Sequence, residues 1–560
     1  MAISNSHPVR FTSIGLVDAY DATGRFPGAA RRLQNLVFDG SNPELVLSRP
    51  GVTLLADFST NGFTTPGFVS VQASVGTRIF GMIASARNAG NDEPFCFDTA
   101  TGLFVTISGV TGANTPTSPA TFGDWTPPTM AVVGVMVLVT HPGFSGAVGK
   151  FFGIIDISNP AAPAWSVANT VTTLLPNVPL AVANFNNRAY FACRNALYYT
   201  DVLTNPPTIT NATQFLTLGD SSNITALVGL PMQTTSSGVL QSLTVYKPTQ
   251  IWQVTGDAAF NNLAENYISL NVGTLAPRSV VQSPFGQYFY STGGPYFVDL
   301  LGALRPLTHS LQDLEPDIQQ PFINARFPSR WAGAYNSTIY RVCGPTVVNS
   351  AATTNDYWFD EHKRRWNGPH NFTYDCASAV GGFFVLSAAG NPGILIKSQP
   401  TQTQNLTLTD LGSNIATSLL TSTFPKIGDM AIKQVAESQI ELGATAAVHY
   451  TITALDEGGS VLDQTVIGVT PVGAPWGYFY WGMGTLWTAS NTWGGGSVWG
   501  GGGVWGAGVP AIPRTYPVTW NSPFVFEKMA LQVDAIAFGQ ATIGTFYARY
   551  QQTGYMTVRR

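Results

Sequence analysis

Phe68-Val69-Ser70-Val71-Gln72-Ala73-Ser74, then Val75-Gly76-Thr77, then Arg78-Ile79-Phe80-Gly81-Met82-Ile83-Ala84: two short apolar-rich runs flank a glycine turn. β-Branched and aromatic residues in runs of this length read as strands, and a short Gly-containing link between them reads as a hairpin. Pro94–Asp98 and Leu103–Ile107, parted by Thr101-Gly102, complete a packet of four. The packet recurs. A second reads Met130–Val133, Val135–Thr140, Phe151–Ile157 and Ala164–Val167. A third opens at Ala181 and carries Arg188–Ala192 and Ala196–Asp201. A fourth holds Ile224–Leu227, Leu240–Tyr246 and Gln250–Thr255. A fifth holds Ser279–Gln282, Gln287–Ser291 and Tyr296–Leu300. A sixth holds Trp331–Ala334, Ile339–Cys343, Asp356–Phe359 and Phe383–Ser387. Packets of three or four strands, roughly 40–60 residues apart, have the length and content of propeller blades. The reading is all-β: a β-propeller of about six blades. Stacked β-sandwiches are the competing architecture.

After residue 400 the composition shifts. Thr401–Ser422 is rich in Thr, Asn, Gln and Ser and reads as a surface connection. Alternating runs resume at Ala447–Thr453, Phe524–Phe526 and Thr545–Tyr550, which reads as a β-sandwich-like distal domain. The expected organisation is an N-terminal segment 1–60 packing on the propeller or an adjacent ring, the propeller at 61–400, and the distal domain at 401–560. The last carries a Gly/Trp-rich insertion at 475–510. A turn or two of helix is expected at Ser310–Glu315, before Pro316, as a connector between blades.

Between Asp463 and Arg514 lie 50 residues without a charge. Within them Trp481, Trp487, Trp493, Trp499 and Trp505 recur every six residues, mostly as Trp-Gly. Six is even, so an extended backbone would set all five indoles on one face. Each can bury some 150–250 Å², and monomers rarely expose apolar patches beyond a few hundred Å². Two readings stand side by side: an aromatic surface toward a partner subunit, or a low-complexity insertion. Deleting Trp487–Val504 separates them. The first expects impaired assembly, the second none.

Charged residues are 10% of the chain, against roughly 25% in ordinary soluble domains. Aromatics are 12%, and so much aromatic content with so little charge excludes wholesale disorder. The net charge is −4, from 27 basic and 31 acidic residues, which excludes a binder that grips nucleic acid by neutralising phosphates. The longest apolar run, Met130–Val139, is ten residues. A helix needs about 20 to span a bilayer, so the run reads as buried strand and no membrane span is expected. Met1-Ala2-Ile3-Ser4-Asn5-Ser6-His7 has no basic-then-apolar export pattern. Cys96, Cys193, Cys343 and Cys376 stand far apart in apolar stretches, without a C-x-x-C pair. They are expected to be buried and reduced, as in a cytoplasm.

Gly149-Lys150 fails as a phosphate loop, because Phe151 stands where Ser or Thr must hold Mg²⁺. The six histidines contain no H-E-x-x-H pair. His362 and His370 flank Lys363-Arg364-Arg365-Trp366, which reads as a solvated hairpin tip rather than a zinc site. No Ser-x-Asp-x-Gly-x-Thr-Trp turn of the sialidase type occurs. Paired carboxylates for glycoside cleavage meet in space rather than in order, and no acid stands in a recognisable setting. The expectation is no enzyme, no catalytic residue, no metal ligand and no cofactor. Lys363, Arg364 and Arg365 are the only basic triplet. A solvated end is the default, and a contact with an acidic neighbouring subunit is the sharper reading.

Several stretches together resemble a known family. Asn42-Pro43-Glu44-Leu45-Val46-Leu47-Ser48-Arg49-Pro50-Gly51 precedes the first packet. Arg188-Ala189-Tyr190-Phe191 follows, with Leu197-Tyr198-Tyr199-Thr200-Asp201. Then come Gly219-Asp220-Ser221-Ser222-Asn223-Ile224-Thr225-Ala226-Leu227, Leu243–Asp257 and Gly293-Gly294-Pro295-Tyr296-Phe297-Val298. Over roughly residues 30–400 this order resembles the tail nozzle proteins of short-tailed bacteriophages, also called tail tubular protein B. The resemblance implies a structural protein of the virion tail, folded in the host cytoplasm. Its partners would be itself as a homohexamer ring, the tail adaptor ring, and tail fibres or spikes. Genomic DNA would pass through the pore during ejection without specific binding. A host-surface or glycan-binding tail protein is the alternative, and a β-propeller glycoside hydrolase the second alternative.

Overall fold

The alternation at residues 68–107 is realised as one antiparallel sheet of four strands in sequence order: Val69–Val75, Arg78–Ser85, Asn91–Asp98 and Leu103–Val105. Gly76 makes its first turn at φ +59, a backbone state that a Cβ penalises. The computed structural model describes residues 7–9, 29–39, 42, 45–61, 63, 69–85, 90–118, 128–146, 151–167, 175–202, 204–235, 238–308, 322, 327–348, 351–388, 393–400, 409–421, 431–470, 513–526, 528–537 and 539–555. These fall into two compact units, one of them essentially Val52–Pro400.

In that unit the described residues form seven four-stranded antiparallel sheets. The second is Thr129–Val133, Met136–Thr140, Gly153–Asp156 and Ala164–Val167. The third is Ala181–Phe185, Arg188–Cys193, Ala196–Tyr199 and Phe215–Thr217. The fourth is Ala226–Thr235, Gly238–Tyr246, Ile251–Thr255 and Ala264–Ser269. The fifth is Val281–Ser283, Gly286–Ser291, Gly294–Asp299 and Leu304–Pro306. The sixth is Ala332–Asn336, Ile339–Val348, Ala351–Asp360 and Arg365–His370. The seventh combines Tyr374–Val380, Phe383–Ala388 and Ile394–Ser398 with Val52–Asp57, which joins from the far end of the sequence.

The sheets follow one another in a cycle. The first strand of each touches the first strand of the next, and that of the seventh touches that of the first. Side chains fill the gaps between them. Phe80 and Met82 meet Val137 and Val139 between the first and second sheets. Leu138 and Ile154 then meet Phe191, Tyr190 meets Leu243, and Ile251 meets Phe289. Tyr288 stacks on Tyr340 at 4.7 Å between the fifth and sixth. Val385 and Leu395 meet Ile79 and Phe97, which closes the cycle. Each fully buried side chain of this size stabilises by about 1.5–3 kcal/mol, so these six interfaces are held mainly by apolar packing, while the sixth and seventh sheets meet around a buried ion pair.

Seven sheets stand where about six packets were expected. Phe383–Ser387, assigned to the sixth packet, opens with Tyr374–Val380 a sheet of its own. The sixth sheet takes Arg365–His370 instead, whose first two residues belong to the stretch Lys363-Arg364-Arg365-Trp366 read as a hairpin tip. Gly368 lies where the pairing register slips, at φ +132, a state that suits glycine at a bulge. The apolar run Met130–Val139 is strand, and as the second packet expects it is two strands, turning at Gly134.

The other unit takes Met1–Gly15, Tyr20–Gly51 and Thr401–Arg560. One of its sheets runs Leu36–Phe38, Val46–Ser48, Ala541–Tyr555, Ala431–Ala444 and Arg514–Pro517, with His7–Val9 and Val525–Phe526 added at its sides. The other runs Ala30–Gln34, Ile415–Thr421, Met529–Ala537, Val448–Asp456 and Val461–Val469. Tyr450 ties the two sheets: its hydroxyl donates to the Gly443 carbonyl at 2.6 Å and accepts from the Thr542 N–H at 3.0 Å. The N-terminal segment expected to pack on the propeller or an adjacent ring is therefore divided. Residues 30–48 pair within this unit, and Val52–Asp57 pair within the other. The two compact units part at 51/52 and at 400/401. The insertion at 475–510 and the connector at Ser310–Glu315 lie outside the described residues.

All four cysteines are buried, and none is in a disulfide. Burial pushes the Cys96 and Cys193 thiols up to about 12 and holds Cys343 well above the ordinary thiol range. Thiolate is the reactive form, so native protein should resist alkylation at pH 8, and denatured protein should release four thiols without reductant. Fewer than four would mean a disulfide. Linkage adds a second expectation. A buried thiol keeps its proton at a pH where the unfolded chain has lost its own, so stability falls as pH rises past the ordinary thiol value toward about 12. The urea midpoint should be lower at pH 10 than at pH 7.

Candidate functional site

The charged groups of the seven-sheet unit gather into a few clusters, most of them inward-facing. In the first, Asp92 from the third strand of the first sheet meets His141, which follows the second strand of the second sheet. His141 Nε2 lies 2.8 Å from Asp92 Oδ2, with both residues about 1% exposed. The Gly143 N–H donates to His141 Nδ1 at 2.9 Å, so Nδ1 is the acceptor and Nε2 carries the proton toward Asp92. Ser118 Oγ donates to the other Asp92 oxygen. The residue types are those of a hydrolytic triad, but the order is wrong: serine bonds the acid rather than the imidazole, so nothing activates it. The cluster pins the loop at 141–144 to the first sheet.

A second cluster explains the segments Gly219–Leu227 and Leu243–Asp257. Lys247 is fully buried. Its Nζ donates to the Leu218 carbonyl at 2.6 Å and to Asp220 Oδ1 at 3.0 Å. Gly219 sits at φ +59, where a Cβ would strike Gln250 Oε1 at 2.2 Å and Trp252 Nε1 at 2.7 Å. Lysine, glycine and tryptophan are required here to shape a turn. In the other unit, Arg49 does similar work on Asp410. The pair is bidentate at 2.9 and 2.5 Å, and Arg49 Nε donates to Asn35 Oδ1 at 3.0 Å. A Cβ on Gly51 would overlap the Thr409 carbonyl at 2.1 Å, so Arg49-Pro50-Gly51 is a joint in the fold.

The deepest pair joins the sixth and seventh sheets. Arg341 donates to Asp356 Oδ2 from Nη2 at 2.5 Å and from Nε at 3.1 Å. Asp356 also accepts from Trp358 Nε1 at 2.6 Å and the Tyr374 hydroxyl at 2.9 Å. The guanidinium lies 4.5 Å from the Trp358 ring and 5.1 Å from Phe384. Desolvation pushes the Asp356 carboxyl up and the Arg341 charge opposes it. The hydrogen bonds from Arg341, Trp358 and Tyr374 also favour the charged form, but burial is the larger effect and holds the carboxyl above its usual range.

The first strands of the seven sheets, which meet around the cycle, carry a single charged residue, Asp375. Burial raises its carboxyl while Arg278 and Arg330 lower it, and Arg278 Nη1 donates to the Asp375 carbonyl at 2.7 Å. Among the described residues no His/Cys/Asp/Glu group has metal-site spacing, and no helix is long and apolar enough to cross a membrane.

The basic triplet divides. Lys363 and Arg364 are exposed in the turn, with Arg364 at φ +53, whereas Arg365 is buried in the strand Arg365–His370. Burial also lowers its guanidinium pKa. The candidate basic contact is corrected to Lys363 and Arg364. His370 is buried against Trp358 at 4.9 Å while His362 is exposed; the solvated tip read there holds for residues 362–364 alone. The turn is braced by Glu361, whose carboxylate accepts from the hydroxyls of Tyr288 and Tyr335. No sequence signal marks that clamp, because its members come from a turn and two strands of different sheets. Trp481, Trp487, Trp493, Trp499 and Trp505 lie outside the described residues. In the other unit a cleft of about 470 Å³ lies beside Ser438, Trp520 and Phe524, where Trp520 Nε1 donates to Ser438 Oγ at 2.8 Å.

No family model matches the chain, and no curated protein matches it. Among solved structures it is similar to a puromycin-hydrolysing peptidase of Mycobacterium tuberculosis, with 10% identity and a TM-score of 0.36. That alignment covers 67% of this chain and 61% of the peptidase, so the chain spans less than two thirds of that protein. An exo-β-1,3-galactanase of Phanerochaete chrysosporium gives 8% identity over 92% of this chain and 100% of the enzyme, at a TM-score of 0.26. The lectin SapL1 gives 12% identity over 52% of this chain and 92% of its own, also at 0.26. Likenesses this distant carry no argument about chemistry.

Proposed function

We propose that the chain is a structural subunit of a short-tailed bacteriophage tail, building the nozzle ring through which the genome leaves. In this reading the Val52–Pro400 unit is a β-propeller with the seven sheets as blades, and the two-sheet unit is a sandwich-like distal domain. One observation carries it. The stretches that resemble nozzle proteins spend their polar residues on shape: Arg49 on Asp410, Lys247 on Asp220, Gly219 and Gly51 on close backbone approaches. A likeness made of such staples favours a scaffold over a catalyst. The scarcity of charge supports it too. Every phosphate neutralised by Lys or Arg adds affinity and therefore friction, and a conduit should not hold its cargo. The proposed partners are further copies in a homohexamer, the adaptor ring, and fibres or spikes.

Electron microscopy of the purified protein tests the reading: six-fold rings are expected, and single subunits at all concentrations would overturn it. DNA binding gives an independent check. Affinity weaker than micromolar is expected at physiological salt. Sub-micromolar binding with a steep salt dependence would contradict a passive conduit.

A further inference from the structure

We infer that two sectors of the Val52–Pro400 unit are the two halves of a head-to-tail contact between copies of this chain. The inference rests on the ring reading above and names the surfaces that would close the ring.

The exposed apolar side chains of this unit are unevenly spread. Phe215, Phe260, Tyr267, Leu270, Phe285 and Leu301 belong to the third, fourth and fifth sheets and their turns, and are 42–77% exposed. The turn of the fifth sheet lies against the outer strand of the fourth, since a Cβ on Gly302 would touch Ile268 at 3.7 Å. The sector is therefore continuous across these two sheets. Several charges near it are already neutralised: Lys247 on Asp220 at 3.0 Å, Arg305 on Asp299 at 3.4 Å, and Arg188 on Asp257 at 4.0 Å. Covering such a surface strands few charges, and leaving this many large apolar groups in water is unusual for a monomer. Glu265, on the exposed outer strand Ala264–Ser269, has no ion-pair partner among the described residues.

The sixth, seventh and first sheets, on the far side of the cycle, present a different surface. Leu54 is 54% and Leu103 66% exposed on outer strands of the seventh and first sheets. Lys363 and Arg364 stand out from the sixth, also without an ion-pair partner among the described residues. The first sector carries more large apolar side chains and the unpaired Glu265 on its outer strand, with the exposed Arg194 in a turn of the third sheet; the second has fewer, Leu54, Leu103 and Phe327, beside the unpaired Lys363 and Arg364. Unlike surfaces on opposite sides of one subunit do not make a two-fold dimer. They join head to tail, and such contacts close into rings or extend as filaments. The occupant that matches each sector is the other sector of a second copy.

Two full-length variants test this. Phe260→Asp with Tyr267→Asp blocks the first sector, and Leu103→Asp with Lys363→Glu blocks the second. All four positions are exposed, so native melting curves are expected. By analytical ultracentrifugation each variant alone should lose the ring species. An equimolar mixture should give dimers and nothing larger, because only one intact junction remains. A charge exchange provides a milder arm: Glu265→Lys weakens assembly, and adding Lys363→Glu in the same chain restores it. If wild type forms rings and both blocked variants do so equally well, the surfaces are wrongly assigned and the ring reading stands. If wild type forms no ring, the ring reading fails and takes this inference with it.

Discussion

Asp356→Ala should cost about 3–5 kcal/mol, because it leaves a buried guanidinium without its counter-charge. Asp356 and Arg341 are both 1% exposed or less, and water cannot reach Arg341 to compensate. A loss of that size is a large part of the 5–15 kcal/mol that ordinarily holds a domain together. The same substitution strips acceptors from Trp358 and Tyr374, so the damage spreads to the joint between the sixth and seventh sheets. Replacing both members by apolar residues of similar volume should be far milder, since an ion pair in a core is often no better than a well-packed hydrophobic substitute. Urea melts followed by tryptophan fluorescence measure this. If Asp356→Ala lost less than about 1 kcal/mol, the pair would not be the deep staple its burial indicates.

The second large effect concerns Val52–Asp57. Replacing these six residues by a Gly-Ser segment of equal length should abolish native packing of the whole 52–400 unit. The strand pairs with Ile394–Ser398, and without it Leu395 and Ile396, both fully buried, would lie on an open sheet edge. Leu395 also belongs to the core that joins the seventh sheet to the first, so the cycle itself would loosen. Near-UV circular dichroism and limited proteolysis read the loss. Rescue is specific. Ser398 pairs with Val52 and Ile394 with Asp57, so the same six residues placed after Ser398 through a tight turn would form a hairpin in the native register. Recovery in that variant, and not with a scrambled sequence, is the expected outcome. A unit that stays protease-resistant with the Gly-Ser segment would show that closure does not depend on this strand.

Much of the fold was legible because strands declare themselves locally. Runs such as Tyr340–Cys343 and Gly286–Ser291 lie between glycine and asparagine turns, and alternation needs no knowledge of partners. Legibility ended where pairing crosses the chain. Val52–Asp57 is a strand by composition, but nothing near it says that its neighbour is Ile394–Ser398. Lys363-Arg364-Arg365-Trp366 misled because a charge run usually marks a solvated end, whereas Arg365 and Trp366 open a bulged outer strand. The clusters at Asp92, Asp356 and Glu361 were invisible for the same reason: each carboxylate takes at least one of its donors from another sheet or a distant loop, and sequence spacing carries no trace of it. The basic turn was read as a unit of three, but strand geometry turned Arg365 inward and left Lys363 and Arg364 outside.

The interleaving of the two units sets a timetable for synthesis. Arg32 bonds Ser418 across 386 positions of chain. At ribosomal speeds of roughly 5–20 residues per second, the strand Ala30–Gln34 waits about 20–80 s for its partner to appear. During that interval the 52–400 unit emerges and can close, while Leu33 and Leu36, fully buried in the finished protein, remain uncovered. The nascent chain therefore carries an uncovered adhesive segment throughout that interval, and a chaperone has to shield it until Ser418 and its strand emerge.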